Sequence, residues 1–204
     1  MMDKNKIWEK ALYVWKTEAD SINKLSKTIK ISELVNCVNI LAACKGRIIV
    51  TGVGTSAVAA KKIVHTLSCI EIPSFFLSCA DAVHGYLGAV RNDDVAILIS
   101  KGGNTSEIIK LIPALKSKGT FIIGVTENKN STLAQKSDLT LRIKIDKEAD
   151  DFNMLATSST LAVIAVFDAI CISLMYYTKY TKEQFAIIHP GGAVGEKLLK
   201  KKNK

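Results

Sequence analysis

Between residues 7 and 43 the apolar positions Ile7, Leu12, Trp15, Ile22, Leu25, Ile29, Leu34 and Leu41 recur three to seven apart, with polar residues between them. That spacing predicts one or two amphipathic helices. At Gly46 the texture changes to short, continuously apolar runs rich in β-branched residues: "RIIVTG" (47–52), "SFFLS" (74–78), "VAILIS" (95–100), "TFIIGVT" (120–126) and "LTLRIKI" (139–145). Helical stretches separate most of them, notably 56–69 and 105–118, and a long apolar helix is expected near 157–177. Strands that are apolar on both faces and alternate with helices predict an α/β fold. The expected architecture is a three-layer sandwich, a five-stranded parallel sheet flanked by helices. In the last run Arg142 and Lys144 alternate with Leu141, Ile143 and Ile145, the pattern of an edge strand. There is no repeat, low-complexity segment or Pro-rich linker. The expected organisation is a helical N-terminal extension (1–45), one α/β domain (46–199) and a basic tail (200–204).

Composition changes this picture little. A chain of 204 residues with 48% hydrophobic and 23% charged residues can bury a full core. The net charge of +9 is partly terminal, since five lysines fall in the closing "KLLKKKNK". No aromatic residues interleave with them to stack on bases, so a solvated tail is expected rather than a nucleic-acid surface. Cys37, Cys44, Cys69, Cys79 and Cys171 are scattered, odd in number and without a C-x-x-C pair, which argues against a disulfide framework or a zinc site. No signal-type apolar stretch opens the chain, and the apolar run 161–175 is short and interrupted by Asp168. It reads as a buried core helix, with Asp168 paired across a buried interface. A cytoplasmic protein with no membrane span is expected.

Chemistry concentrates in two turns. In "TGVGTSAV" Gly52 and Gly54 let the backbone approach an anion, while Thr55 and Ser56 bring hydroxyls to the start of the next helix. With Ala57 the spelling satisfies G-x-G-x-x-A, but the acid a dinucleotide site needs after strand two arrives late, as Asp81. In "ISKGGNTSEIIKLI" Ser100, Lys101, Gly102, Gly103, Asn104, Thr105 and Ser106 crowd a second strand-to-helix junction, with Glu107 in the first helical turn. Two such junctions at one sheet edge suit a phosphate group better than a pair of tight turns.

These turns, together with "IPSFFL" (72–77), "SCADAVHGYLGAV" (78–90), "KEADDFNMLATSST" (147–160) and "FAIIHPGGAVGEKLL" (185–199), resemble the sugar isomerase (SIS) domain, a flavodoxin/Rossmann-like fold, and within it the arabinose-5-phosphate isomerase family. The resemblance runs from about residue 46 to 199, and the regulatory CBS pair of many members is expected to be absent. It implies an aldose–ketose isomerase acting through an enediol, with a phosphosugar as partner and no cofactor or metal. The phosphate would be held by Gly54, Thr55, Ser56, Ser100, Lys101, Gly102, Asn104, Thr105, Ser158 and Ser159, the last two next to Thr157 at a serine-rich helix start. The family's acids fall on Glu107 and Glu148, and its histidines on His84 and His189. Members assemble as oligomers, often tetramers, with the C-terminal histidine reaching a neighbour's site. Two departures stand out: the usual Gly-x-Gly-Lys-Ser carries Thr55 at the lysine, and the usual Ser-Asn-Ser-Gly-Glu becomes Ser100-Lys101-Gly102-Gly103-Asn104.

Moving a proton between adjacent carbons calls for a carboxylate, and ring opening calls for a second acid or an imidazole. Either Glu107 or Glu148 could be the base, with His189 assisting. Each also has a structural reading: Glu107 as a first-turn acid favoured by the helix dipole, Glu148 as one of several solvated acids, His189 and His84 as turn residues, and His65 as a packed or surface side chain. The competing functions are a non-catalytic phosphosugar binder or sensor, suggested by Thr55, then a transcription regulator, then a nicotinamide enzyme.

Overall fold

The computed structural model describes residues 3–191, and within them the apolar runs form five strands: β1 (Ile48–Gly52), β2 (Ser74–Phe76), β3 (Val95–Ile99), β4 (Phe121–Thr126) and β5 (Leu139–Arg142). All pair in parallel, in the order β2-β1-β3-β4-β5, so β5 is an edge as its alternation predicts. Nine α-helices accompany them among the described residues: α1 (Lys4–Thr28), α2 (Ile31–Ala43), α3 (Thr55–Ser68), α4 (Cys79–Ala82), α5 (Ser106–Ile109), α6 (Ile112–Ser117), α7 (Thr132–Lys136), α8 (Ser158–Thr178) and α9 (Lys182–Ile188). The basic tail 200–204 and the last residues of the expected 46–199 domain lie outside the described residues.

Successive strand residues point to opposite faces, and both faces are covered. In β3, Val95, Ile97 and Ile99 enter one core while Ala96 and Leu98 enter the other, all buried. The first core is closed by α2, α3 and α8, the second by α4 to α7. Each fully buried Ile, Leu or Val contributes roughly 1.5–3 kcal/mol, which explains why such residues dominate the strands. Helix α8 is long and apolar enough by length and composition to cross a membrane, yet Ala162, Val166, Phe167, Ile170, Cys171 and Leu174 form a buried stripe against the first core. The five cysteines are free thiols, and burial pushes those of Cys37 and Cys171 up to about 12.

Two expectations change. The helix over 105–118 is two helices, because Pro113 has no N–H to offer the Ile109 carbonyl and the chain resets at Lys110–Leu111. Asp168 is not buried: it pairs with Lys62 across α8 and α3 at a half-exposed position. Helix α1 touches the first core through Leu25 near its C-terminal end, while the N-terminal part of its apolar face is left uncovered. Its buried positions are Thr17 and Ser21, whose hydroxyls donate to the carbonyls of Tyr13 and Thr17 at 2.8 Å, while Ile7, Trp8, Leu12 and Trp15 are about half exposed.

Candidate active site

Strands β1 and β3 lie side by side, with Gly52 in register with Ile99, and the chain order reverses between them. The two Gly-rich turns therefore leave the sheet together, at the switch point where open α/β sheets bind ligands. In the first turn a Cβ on Gly52 would lie 2.7 Å from the Ser56 carbonyl, so only glycine lets α3 start this close to the strand. Gly54 takes φ +58° and ψ −128°, a glycine conformation, and directs the chain into α3. Thr55 is exposed and Ser56 half-buried at the first turn of that helix.

The second turn is shaped from inside. Ser100 Oγ accepts from the Gly103 amide at 3.0 Å and shares a 2.8 Å bond with Thr105 Oγ1. Asn104 Oδ1 accepts from the Thr132 amide at 2.9 Å, binding the turn to α7. Thr126 Oγ1 and the Glu127 amide both donate to the Lys101 carbonyl, at 2.8 and 3.0 Å. The amides of Gly102, Asn104, Thr105 and Ser106 have no acceptor among the described residues. Three of the expected phosphate ligands, Ser100, Asn104 and Thr105, thus hold the loop's form, and the free amides are its donors.

Residues 146–160 supply the third wall. Glu148 is fully buried and saturated with donors: Lys101 Nζ at 2.7 Å, the Thr157 and Ser159 amides at 3.0 and 3.1 Å, Thr157 Oγ1 at 3.3 Å, and the Ser159 hydroxyl. Burial alone would push its carboxyl up, but the Lys101 ammonium, the Ser159 hydroxyl and the two amides at the start of α8 overcome that and hold it at about 2. The expectation of a solvated Glu148 fails. Lys101 then projects into a cleft shared with Ser56, Glu127, Ser159 and Thr160, floored by Ile99, Val125, Ile143 and Ile145.

Of the other expected site residues, Gly54, Thr55, Gly102 and Asn104 stand exposed at the rim. Glu107 is exposed in the first turn of α5, where the Ser106 hydroxyl and its own backbone amide hold its carboxyl below the usual range. Ser158 is buried, and its hydroxyl is unpaired among the described residues. His84 is exposed beyond α4, in a separate surface hollow with Asp81 and Tyr86, and His65 is exposed on α3. His189 is not brought to this site within one chain. It stacks on Phe185, ring centroids 3.9 Å apart, with Nδ1 donating to the Phe185 carbonyl at 2.9 Å. Its helix is tied to the far end of α3 by Gln184–Glu71 and Tyr180–Cys69 contacts. The 21 residues of α8, roughly 30 Å of helix, separate it from Glu148.

Thr126 and Glu127 were missed from sequence, although "GVTEN" ends a central strand and the switch-point rule draws attention to such positions. Among the described residues, no group of three His, Cys, Asp or Glu side chains could hold a metal ion.

A family model for the SIS domain matches residues 40–173. Arabinose 5-phosphate isomerase KpsF of Escherichia coli O6:H1 (strain CFT073) is 38% identical over 182 residues, covering 89% of this chain and 56% of that protein. This chain therefore spans little more than half the length of that relative. A crystal structure of a candidate sugar-phosphate isomerase from Listeria monocytogenes shares 52% identity and a TM-score of 0.92, covering 94% of this chain and 100% of the other. An E. coli CFT073 protein solved in complex with arabinose 5-phosphate shares 33% identity and a TM-score of 0.89, covering 93% and 100%.

Proposed function

The chain belongs to the SIS domain family, and from that premise we propose that it is an aldose–ketose isomerase of sugar phosphates, interconverting arabinose 5-phosphate and ribulose 5-phosphate or a closely related pair. The observation that carries this reading is the cleft at the switch point, where both Gly-rich turns and a lysine meet over an apolar floor. The phosphate sits at the rim, on the free amides of the second turn and the opening turn of α3, where the helix dipole favours a dianion. The carbon skeleton then extends inward toward Lys101. Glu107, exposed in the first turn of α5 beside the second Gly-rich turn, serves ring opening and proton traffic between oxygens.

His189 completes the site from a second copy of the chain. A homo-oligomer, in the form of a tetramer, accounts for two observations at once: the distance of His189 from its own cleft, and the apolar residues that α1 leaves uncovered. We place the enzyme in the cytoplasm, a reducing compartment that suits its five free thiols.

Purified protein offered arabinose 5-phosphate and a panel of pentose and hexose phosphates is expected to form ketose from at least one of them. The exposed Thr55 hydroxyl favours a second reading, a phosphosugar sensor without turnover. Under that reading a phosphosugar raises the melting temperature while no ketose appears, and Thr55→Lys is the variant in which to look for activity.

A further inference from the structure

Three carboxylates surround the cleft, and they differ in what they are free to do. Glu148 is fully buried, and both of its oxygens are occupied by donors. A carboxylate in that state has no lone pair left to direct at a carbon, and its lowered basicity makes it a poor general base. Glu107 projects into solvent from a four-residue helix and does not line the cleft. Glu127 does line it, on the same wall as Lys101.

The backbone of Glu127 is fixed on both sides. Its amide donates to the Lys101 carbonyl at 3.0 Å, and its carbonyl accepts from Arg142 Nε at 3.1 Å. Its carboxylate, in contrast, is half-buried and pairs with no group among the described residues. Lys101 Nζ uses one donor on Glu148 and keeps two for a ligand. A rigidly mounted free carboxylate and an anchored ammonium thus face the same apolar-floored space.

We propose, on the isomerase reading above, that Glu127 is the base acting on the sugar carbon, that Lys101 is the proton donor to the sugar carbonyl, and that Glu148 is a positioning residue for Lys101. Glu127 removes the proton from the carbon beside the aldehyde. The C–H electron pair becomes the C=C bond of the enediol, and the carbonyl π pair moves onto oxygen, which takes a proton from the Lys101 ammonium. In the second half the neighbouring hydroxyl returns a proton to Lys101 and becomes the ketone. The C=C pair collects a proton from Glu127 at the former aldehyde carbon, after the carboxyl has exchanged with solvent in a share of turnovers. The aldehyde carbon is reduced and its neighbour oxidised within one molecule, so no outside reductant or oxidant enters.

The test reads ketose formation together with wash-in of solvent deuterium at the sugar carbon. Glu127→Gln, a conservative change at a half-buried position, is expected to lower both kcat and deuterium exchange by roughly 10²–10⁴-fold. Affinity for the phosphosugar should change less than about threefold, because the phosphate donors lie elsewhere. Lys101→Met is expected to lower kcat by roughly 10²–10³-fold. Glu148→Gln also lowers kcat, but adds nothing in the Lys101→Met background, since it acts through that side chain. Circular dichroism confirms folding of each variant, and the Glu127 arm decides alone if the Glu148 variants fail to fold. A Glu127→Gln enzyme within tenfold of wild type in both readouts overturns the proposal. So does a Glu148→Gln loss that multiplies that of Lys101→Met. A wild type inert on every phosphosugar instead overturns the isomerase reading, and this inference with it.

Discussion

Replacing Gly103 by valine is expected to cost about 2–5 kcal/mol of stability, from roughly 1–2 for the left-handed backbone and about 1–3 for overpacking, and more than about 100-fold in turnover. Gly103 has φ +72°, where a side chain strains the backbone whatever the space around it. The space is also taken: a Cβ would lie 2.5 Å from Ser131 Cβ and 2.8 Å from Thr126 Oγ1, and closer still to Ser131 Oγ. These neighbours cannot yield cheaply. Ser131 Oγ caps α7 through the Ala134 amide, and Thr126 Oγ1 holds the Lys101 carbonyl. The displacement therefore passes directly to the residue that faces the cleft. Thermal melting should fall by roughly 5–15 °C for this size of domain. Gly88→Ala, where a Cβ meets nothing within 4 Å, is the control and should stay within about 0.5 kcal/mol of wild type. Equal melting temperatures for the Gly103 and Gly88 variants would contradict the account.

The sheet was legible because a parallel strand buried on both faces has no polar alternation to confuse it with anything else. Ile48–Ile49–Val50 and the run 95–99 are apolar at every position and feed two cores at once. The two ligand turns were legible for a related reason, since glycines and hydroxyls between an apolar strand and a helix have few other uses. Periodicity was less informative where it depended on what lies opposite. The stripe of α1 is amphipathic as read, but the pattern does not say which partner covers it, and Thr17 and Ser21 face inward instead. Pro113 carries the interruption between α5 and α6, but the apolar spacing runs on through it, and spacing alone does not separate two short helices from one.

The site was harder to read than the fold, because its parts come from distant stretches. Lys101 was visible as a charge near a phosphate loop, but its bond to Glu148 joins residues 47 positions apart, and no local pattern encodes it. "DKEADD" looked solvated because it is acidic throughout. Only the fold shows that Glu148 alone turns inward, to the start of α8, while Asp146, Asp150 and Asp151 remain at the surface. His189 illustrates the converse. Its motif was distinctive, yet a motif carries no information about the length of α8 that intervenes.

Glu148→Gln should reveal the same buried pair through the pH dependence of folding. With the carboxyl held at about 2 in the native protein against an ordinary 4.5, the native state takes up this proton less readily than the unfolded chain. The corresponding stability is present in full above the unfolded value and is lost as pH falls from about 5 toward 2. The whole shift is worth roughly 3 kcal/mol, and solvent around the partly exposed Lys101 trims this to about 2 kcal/mol. Glutamine keeps an oxygen for the Thr157 and Ser159 amides but loses the charge that holds Lys101, and it cannot titrate. At pH 7 the variant should therefore be less stable than wild type by about 2 kcal/mol, read as a lower urea midpoint. Between pH 5 and pH 3 the two midpoints should converge, because wild type protonates the group that the variant already lacks. Midpoints that run parallel across that window would mean that Glu148 titrates as an ordinary carboxylate, and Lys101 would then lose the anchor that aims it into the cleft.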